Sequence, residues 1–125
     1  MSRTKPHRFG YRAIILPEDV YDGDSATATV SLGFGVYLHR QKLRLLGVDT
    51  PEIRGATRAA GRAARDFVRE MLPEDGEVLL KTHKGRKKGK WGRWLGELWL
   101  EKGPQQFVCV NDELLRAGHA TRYMG

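Results

Sequence analysis

Five side chains in two short runs set the chemistry open to this sequence: Asp22 and Asp24 around Gly23, and Arg44, Asp49 and Glu52 within Leu43–Glu52. Arg44 stands inside an otherwise apolar run of Leu43, Leu45, Leu46 and Val48, where a positive charge taken from water needs an anionic partner or a ligand. Asp49 and Glu52 follow at the end of that run. Pro51 keeps Thr50 out of the helical region, so both acids leave the strand on a stiff extended turn and not on a helix face. Gly23 between two aspartates predicts a tight turn or bulge that can aim both carboxylates at one place. The chemistry this suggests is the binding of a metal or a phosphate at a strand edge. Taken singly, Asp-Gly-Asp is more often an ordinary turn, and Arg44 has the plain alternative of a structural ion pair with Glu52 or Asp49.

Several elements must position these groups. Arg12–Leu16 reads as a first strand ended by Pro17. From Ala26 to Leu32 the alternation is clean, with Ala26, Ala28, Val30 and Leu32 on one face and Thr27, Thr29 and Ser31 on the other. Gly33-Phe34-Gly35 turns the chain into a return strand from Val36 through the arginine run, which brings Asp24 and Asp49 to neighbouring ends of a sheet. Thr57 is the expected N-cap of a helix reaching Met71 or Leu72. Its apolar stripe is Ala60, Ala63, Ala64, Phe67, Val68 and Met71, with Arg58, Arg62, Arg65 and Arg69 on a solvated face. Val78–Thr82 and Trp94–Leu100 are further strands, separated by the glycine-spaced basic loop His83–Lys90. Phe107–Val110 is a last short strand, after which Asn111 caps a helix with Leu114 and Leu115 inward and Gly118 just past its end. The pattern predicts an α+β, mainly β fold: a five-stranded OB-fold barrel with two or three helices, whose site lies on the outer face and adjoining loops. Residues 1–9 are expected to be a flexible basic arm and residues 10–125 one domain.

The chain has 125 residues and a formal charge of +7, which favours polyanionic partners such as DNA or RNA. Cys109 is the only cysteine, so neither an intrachain disulfide nor a multi-cysteine zinc site can form, and metal ligands must be oxygens. The four histidines are scattered without ligand spacing. The apolar run Ala13–Leu16 is far too short for a signal peptide or membrane span, so an intracellular protein is expected unless a leader has been removed. No membrane or obligate protein partner is implied, and a monomer is expected.

Read in order, Asp22-Gly23-Asp24, the run Leu43–Glu52, Lys90-Trp91-Gly92-Arg93 and the run Val110–Gly118 resemble the successive signatures of the thermonuclease, or staphylococcal nuclease-like, family. The resemblance covers nearly everything from Val20 to Gly118, and the arginine-to-glutamate run is its most specific part. It implies an OB-fold endonuclease that uses Ca²⁺ to hydrolyse DNA and RNA, leaving 3′-phosphate ends. By the same resemblance Asp24, Asp49 and the backbone carbonyl of Thr50 would hold Ca²⁺, with Asp22 supporting them. Glu52 would be the general base, and Arg44 and Arg93 would grip the scissile phosphate. Lys90 and Trp91 would lie near the substrate's phosphates, and Tyr123 stands alone where the family places a pair of tyrosines that contact substrate. The loop after Glu52, Ile53 to Thr57, is also shorter than in the family's best-known members.

Physical chemistry supports these roles independently. Phosphodiester hydrolysis must orient a water, remove its proton and neutralise the equatorial oxygens, tasks that suit a carboxylate and two guanidinium forks. Ca²⁺ takes about six to eight oxygen ligands, for which aspartates, a carbonyl and waters are apt. Two other classes compete: a non-catalytic nucleic-acid-binding OB module and a protein-interaction domain. Mere binding requires no general base, so the joint presence of Arg44, Glu52 and Arg93 favours the enzyme.

Overall fold

The computed structural model describes residues 10–83 and 93–123. β1 (Tyr11–Ile14) is followed by a 3-10 turn, Pro17–Asp19, and by β2 (Val20–Asp22). β3 (Ser25–Gly33) and β4 (Val36–Leu45) form a long hairpin, and β5 (Val48–Asp49) follows at once. After a second 3-10 turn, Gly55–Thr57, come α1 (Arg58–Met71), β6 (Glu77–Thr82), β7 (Trp94–Gly103) and β8 (Gln106–Cys109). The chain then forms α2 (Val110–Arg116) and β9 (Thr121–Arg122).

Five of these strands close a ring, β1-β3-β4-β7-β6 and back to β1, the order of an OB fold. All neighbours are antiparallel except β4 and β7, which run parallel with Leu43 beside Trp94 and Leu45 beside Gly96. Closure leaves the ring strands no free edge along their paired length. The interior is filled from every strand of the ring, by Ala13, Ala28, Leu43, Leu80 and Leu98 among others, with Val68 of α1 and Leu114 of α2 closing the core. Among the described residues, no helix is long and apolar enough to cross a membrane.

The alternation expected in the first hairpin strand holds through Val30 and then fails, because Leu32 is 45% exposed. The hairpin outruns the ring, so its distal residues have no core to face. Between Ala28, opposite Gln41, and Val30, opposite Leu38, β4 carries an extra residue, and Arg40 takes up the bulge with φ of 51°.

The helix after Thr57 is as expected in length, but its stripe is shifted. Gly61, Ala64 and Val68 are buried and Phe67 and Met71 pack against the core, whereas Ala60 and Ala63 face solvent. The arginine row is not wholly solvated: Arg69 donates from Nη2 to the Val20 carbonyl at 2.8 Å, tying α1 to β2. Thr57 occupies the N-cap position but its hydroxyl caps nothing. It donates instead to the Glu52 carbonyl at 2.9 Å. Asn111 is likewise no cap, because Cys109 holds that position and Asn111 is buried within the first turn of α2. Trp99 is wholly buried and Trp94 packs against the core.

Candidate functional site

Backbone bonds fix the two halves of the site together before any side chain is considered. Leu45 N donates to the Asp24 carbonyl at 2.9 Å and Leu46 N to the Gly96 carbonyl at 2.9 Å, so β4 is held to the Asp22–Asp24 turn and to β7 where it leaves the ring. Asn111 reinforces this point from a distance in sequence. Its amide donates to the Leu46 carbonyl at 2.9 Å and the Gly96 carbonyl at 3.2 Å, and its oxygen accepts from Leu98 N at 3.1 Å. Beyond Leu46 the chain forms β5, which pairs with β9, so Asp49 is held opposite Thr121.

The turn that carries the acids is wedged tightly. A Cβ at Gly23 would lie 2.7 Å from Thr50 Cγ2 and 2.9 Å from Ala64 Cβ, so only glycine lets the turn slide between Thr50 and α1. Asp24 is buried at 5% exposure, and its Oδ2 accepts from Thr50 N at 3.1 Å while Oδ1 accepts from the Ser25 hydroxyl at 3.3 Å. Asp22 sits one step outward and accepts from Asp24 N at 3.2 Å. Burial, and then the hydrogen bond and charge of Asp24, push the Asp22 carboxyl up to about 7.

Arg44 lies between the two metal-ligand aspartates that the resemblance implies. Nη1 is 3.5 Å from Asp24 Oδ2, and Nη2 is 3.7 Å from Asp49 Oδ1 and donates to the Val48 carbonyl at 3.1 Å. Its ion-pair partners are thus Asp24 and Asp49 and not Glu52. Its guanidinium carbon lies 4.8 Å from the centroid of the Tyr123 ring, a cation–π geometry. Arg93 donates from Nη1 to Ser25 Oγ at 3.3 Å, and its buried Nε has no partner among the described residues. Thr50 Oγ1 is similarly buried and unpartnered.

These groups converge. Asp22, Asp24, Lys42, Arg44, Asp49, Thr50, Glu52 and Arg93 line one polar cavity of about 340 Å³ on the outside of the ring. The structure therefore brings together Asp22, Asp24, Arg44, Asp49, Thr50, Glu52 and Arg93, and adds Tyr123 beneath Arg44. Lys90 and Trp91 lie outside the described residues. Sequence reasoning missed Lys42, whose strand spacing from Arg44 was the available signal. It also missed Asn111 as a clamp and Gly61, where a Cβ would stand 2.2 Å from the Glu52 carbonyl oxygen. Glycine at Gly61 lets α1 press directly on the backbone that presents Glu52.

The donor set can be weighed against a hard cation. Among the described residues no three His, Cys, Asp or Glu side chains form a ready metal cluster. Two carboxylates, the Thr50 carbonyl and the unpartnered Thr50 hydroxyl are nonetheless all oxygen donors, the kind Ca²⁺ takes along with water. The residues fit such an ion and do not fit zinc.

A family model described as Staphylococcal nuclease homologue matches residues 42–124, more than half of the chain. The chain belongs to the staphylococcal nuclease homologue family. The family match takes in Arg44, Asp49, Glu52 and Arg93 and begins after the Asp22–Asp24 turn. The chain is also 28% identical over 102 residues to an uncharacterized protein of Methanocaldococcus jannaschii, covering 66% of this chain and 49% of that protein. It thus spans about half the length of that curated relative.

Proposed function

We propose that this member of the family is a Ca²⁺-dependent endonuclease that hydrolyses phosphodiester bonds of DNA and RNA. The observation that carries this reading is the shared cavity, in which a carboxylate at Glu52 faces the same space as the cations Lys42, Arg44 and Arg93. A site that only bound nucleic acid would gain nothing from four carboxylates lining its phosphate pocket, since each would repel the ligand.

In the proposed reaction Glu52 takes a proton from a water as the water oxygen adds to phosphorus; the P–O5′ bond breaks with its electron pair on O5′, which takes a proton from solvent water, and a 3′-phosphate and a 5′-hydroxyl result. Arg44 and Arg93 donate to the phosphate oxygens as charge builds on them; a guanidinium cannot lose its proton, and its fork matches two oxygens at once. Ca²⁺ would be held by Asp24, Asp49 and the Thr50 carbonyl, with Asp22 behind them, and would supply further positive charge to the phosphate. Asp24 and Asp49 meanwhile keep Arg44 aimed through the two ion pairs already described.

The test is cleavage of end-labelled DNA and RNA by purified variants. Arg44→Ala, Arg93→Ala and Glu52→Gln should each cost on the order of 10²- to 10³-fold in rate. Variants cleaving as fast as wild type would sink the assignment, and oligonucleotide binding without cleavage by the wild type would favour a non-catalytic binding module.

A further inference from the structure

The outer face of the β3–β4 hairpin carries groups that the reaction does not use. Register sets Arg44 opposite Ser25, Lys42 opposite Thr27 and Tyr37 opposite Ser31. On β3 those partners alternate with buried Ala26, Ala28 and Val30, so Arg44, Lys42 and Tyr37 all point away from the core. His39 stands beside Tyr37, with ring centroids 6.5 Å apart. Arg40, on the bulge, meets Asp19 at 3.6 Å with its side chain 72% exposed, a solvated pair that leaves the guanidinium open to another anion. Phe34 at the hairpin tip is fully exposed.

The hairpin contributes no opposing charge. From Ser25 to Leu45 there is not one aspartate or glutamate, and β3 offers only hydroxyls on this face. Asp75 and Glu77 line the cavity beside Tyr37, where Glu77 is neutralised by Arg12 at 2.7 Å, and the strands themselves carry no acid. Aromatic rings interleaved with cations on such a strand pair suit a chain of phosphates bearing unpaired bases, since every base has a face to stack and every link a charge. From Arg44 to Tyr37 the row runs about 20 Å at roughly 3.3 Å per residue, in keeping with the roughly 4 to 16 nucleotides an OB fold covers. The row is also continuous with the site, because Lys42 lines the cavity that holds Arg44.

We propose that this face is the path of the single nucleic-acid strand leading away from the scissile phosphate, with Lys42 and Arg40 on successive phosphates and Tyr37 with His39 stacking an unpaired base. It rests on the proposed function only in naming where the path starts; strand binding itself is measurable without cleavage.

The experiment measures binding of a fluorescent twelve-nucleotide single strand in chelator, across a range of salt, with Tyr37→Ala and Arg40→Ala; both side chains are exposed, and unchanged melting would verify their folding. Tyr37→Ala should weaken binding about ten-fold with the salt dependence unaltered. Arg40→Ala should weaken it and lower the slope of log affinity against log salt by about 0.7, the loss of one phosphate contact. Where the wild type cleaves, both variants should raise KM for the twelve-nucleotide strand and leave cleavage of a dinucleotide unchanged. Wild-type affinity and slope in both variants would overturn the path and leave the nuclease reading intact. Unchanged strand binding together with lost self-association would make the face a protein interface and overturn it equally. Failure of the wild type to cleave anything, with the binding effects present, would refute the nuclease reading and uphold the path.

Discussion

The Arg44 guanidinium is stacked over the Tyr123 ring, 4.8 Å from its centroid, so a residue near the end of the chain holds the central cation of the site. Tyr123 is placed there by two features: β9 pairs with β5, and Tyr123 N donates to the Gly47 carbonyl at 3.0 Å. A contact of this kind contributes about 0.5–2 kcal/mol. Tyr123→Ala should therefore lower kcat/KM by about two-fold to thirty-fold, while Tyr123→Phe, which keeps the ring, should stay close to wild type. A Phe variant as impaired as the Ala variant would show that the hydroxyl, and not the ring, matters.

Gly61 makes a second prediction of unusual sign. Replacing a helix-interior glycine by alanine ordinarily stabilises by about 1 kcal/mol. Here the new methyl would meet the Glu52 carbonyl oxygen at 2.2 Å and the Ile53 nitrogen at 2.8 Å, all backbone that cannot swing aside. Gly61→Ala should lower the melting temperature, with a cost of about 1–3 kcal/mol from overpacking. It should reduce kcat more than it raises KM, because the displaced backbone carries Glu52. A stabilised, fully active Gly61→Ala protein would contradict this packing.

Asn111 ties α2, β7 and the end of β4 together through three hydrogen bonds. Asn111→Ala would leave the buried Leu98 N–H without its acceptor and the Leu46 carbonyl without its side-chain donor, while the Gly96 carbonyl keeps its bond from Leu46 N, at about 1–3 kcal/mol for each buried group orphaned. Chemical denaturation should show a loss in that range. Asn111→Asp should recover only part of it, since a carboxylate can accept from Leu98 N but cannot donate to the carbonyls.

Asp22 predicts a pH dependence in the metal-free protein. Its folded pKa is raised to about 7 from 3.8, chiefly by burial and secondarily by Asp24. A carboxyl raised on folding binds its proton more tightly in the native state, so its contribution favours folding below the unfolded value and is lost as pH rises from about 4 to about 7. In chelator, Asp22→Asn should therefore stabilise the protein relative to wild type at pH 8 and lose that advantage at pH 5. Melting curves of the two proteins at both pH values would show it. A difference independent of pH would mean that Asp22 stays ionised throughout.

What the sequence made legible was local. Arg44, Asp49 and Glu52 could be read because a strand, a proline and three charges fall within a few positions, and the hairpin brings Asp24 to them by alternation alone. The ring order followed from the spacing of strands and helices. The unread parts depend on contacts between distant positions: Asn111 looks like a helix cap until Leu46 and Gly96 are beside it, and Gly61 looks like a weak spot in a helix until the Glu52 carbonyl lies against it. The resemblance marks Tyr123 as a substrate contact, but its contact with Arg44 depends on the pairing of β9 with β5. Leu32 was misread for the opposite reason, since alternation gives a strand's face but not where the core beneath it ends.

Incubation of the purified chain with plasmid DNA, in Ca²⁺ and in excess chelator, tests the central claim most directly, provided calorimetry shows that the ion binds. The account predicts cleavage to 3′-phosphate ends in Ca²⁺ and none in chelator. Equal cleavage in both, or intact plasmid with Ca²⁺ bound, would contradict it.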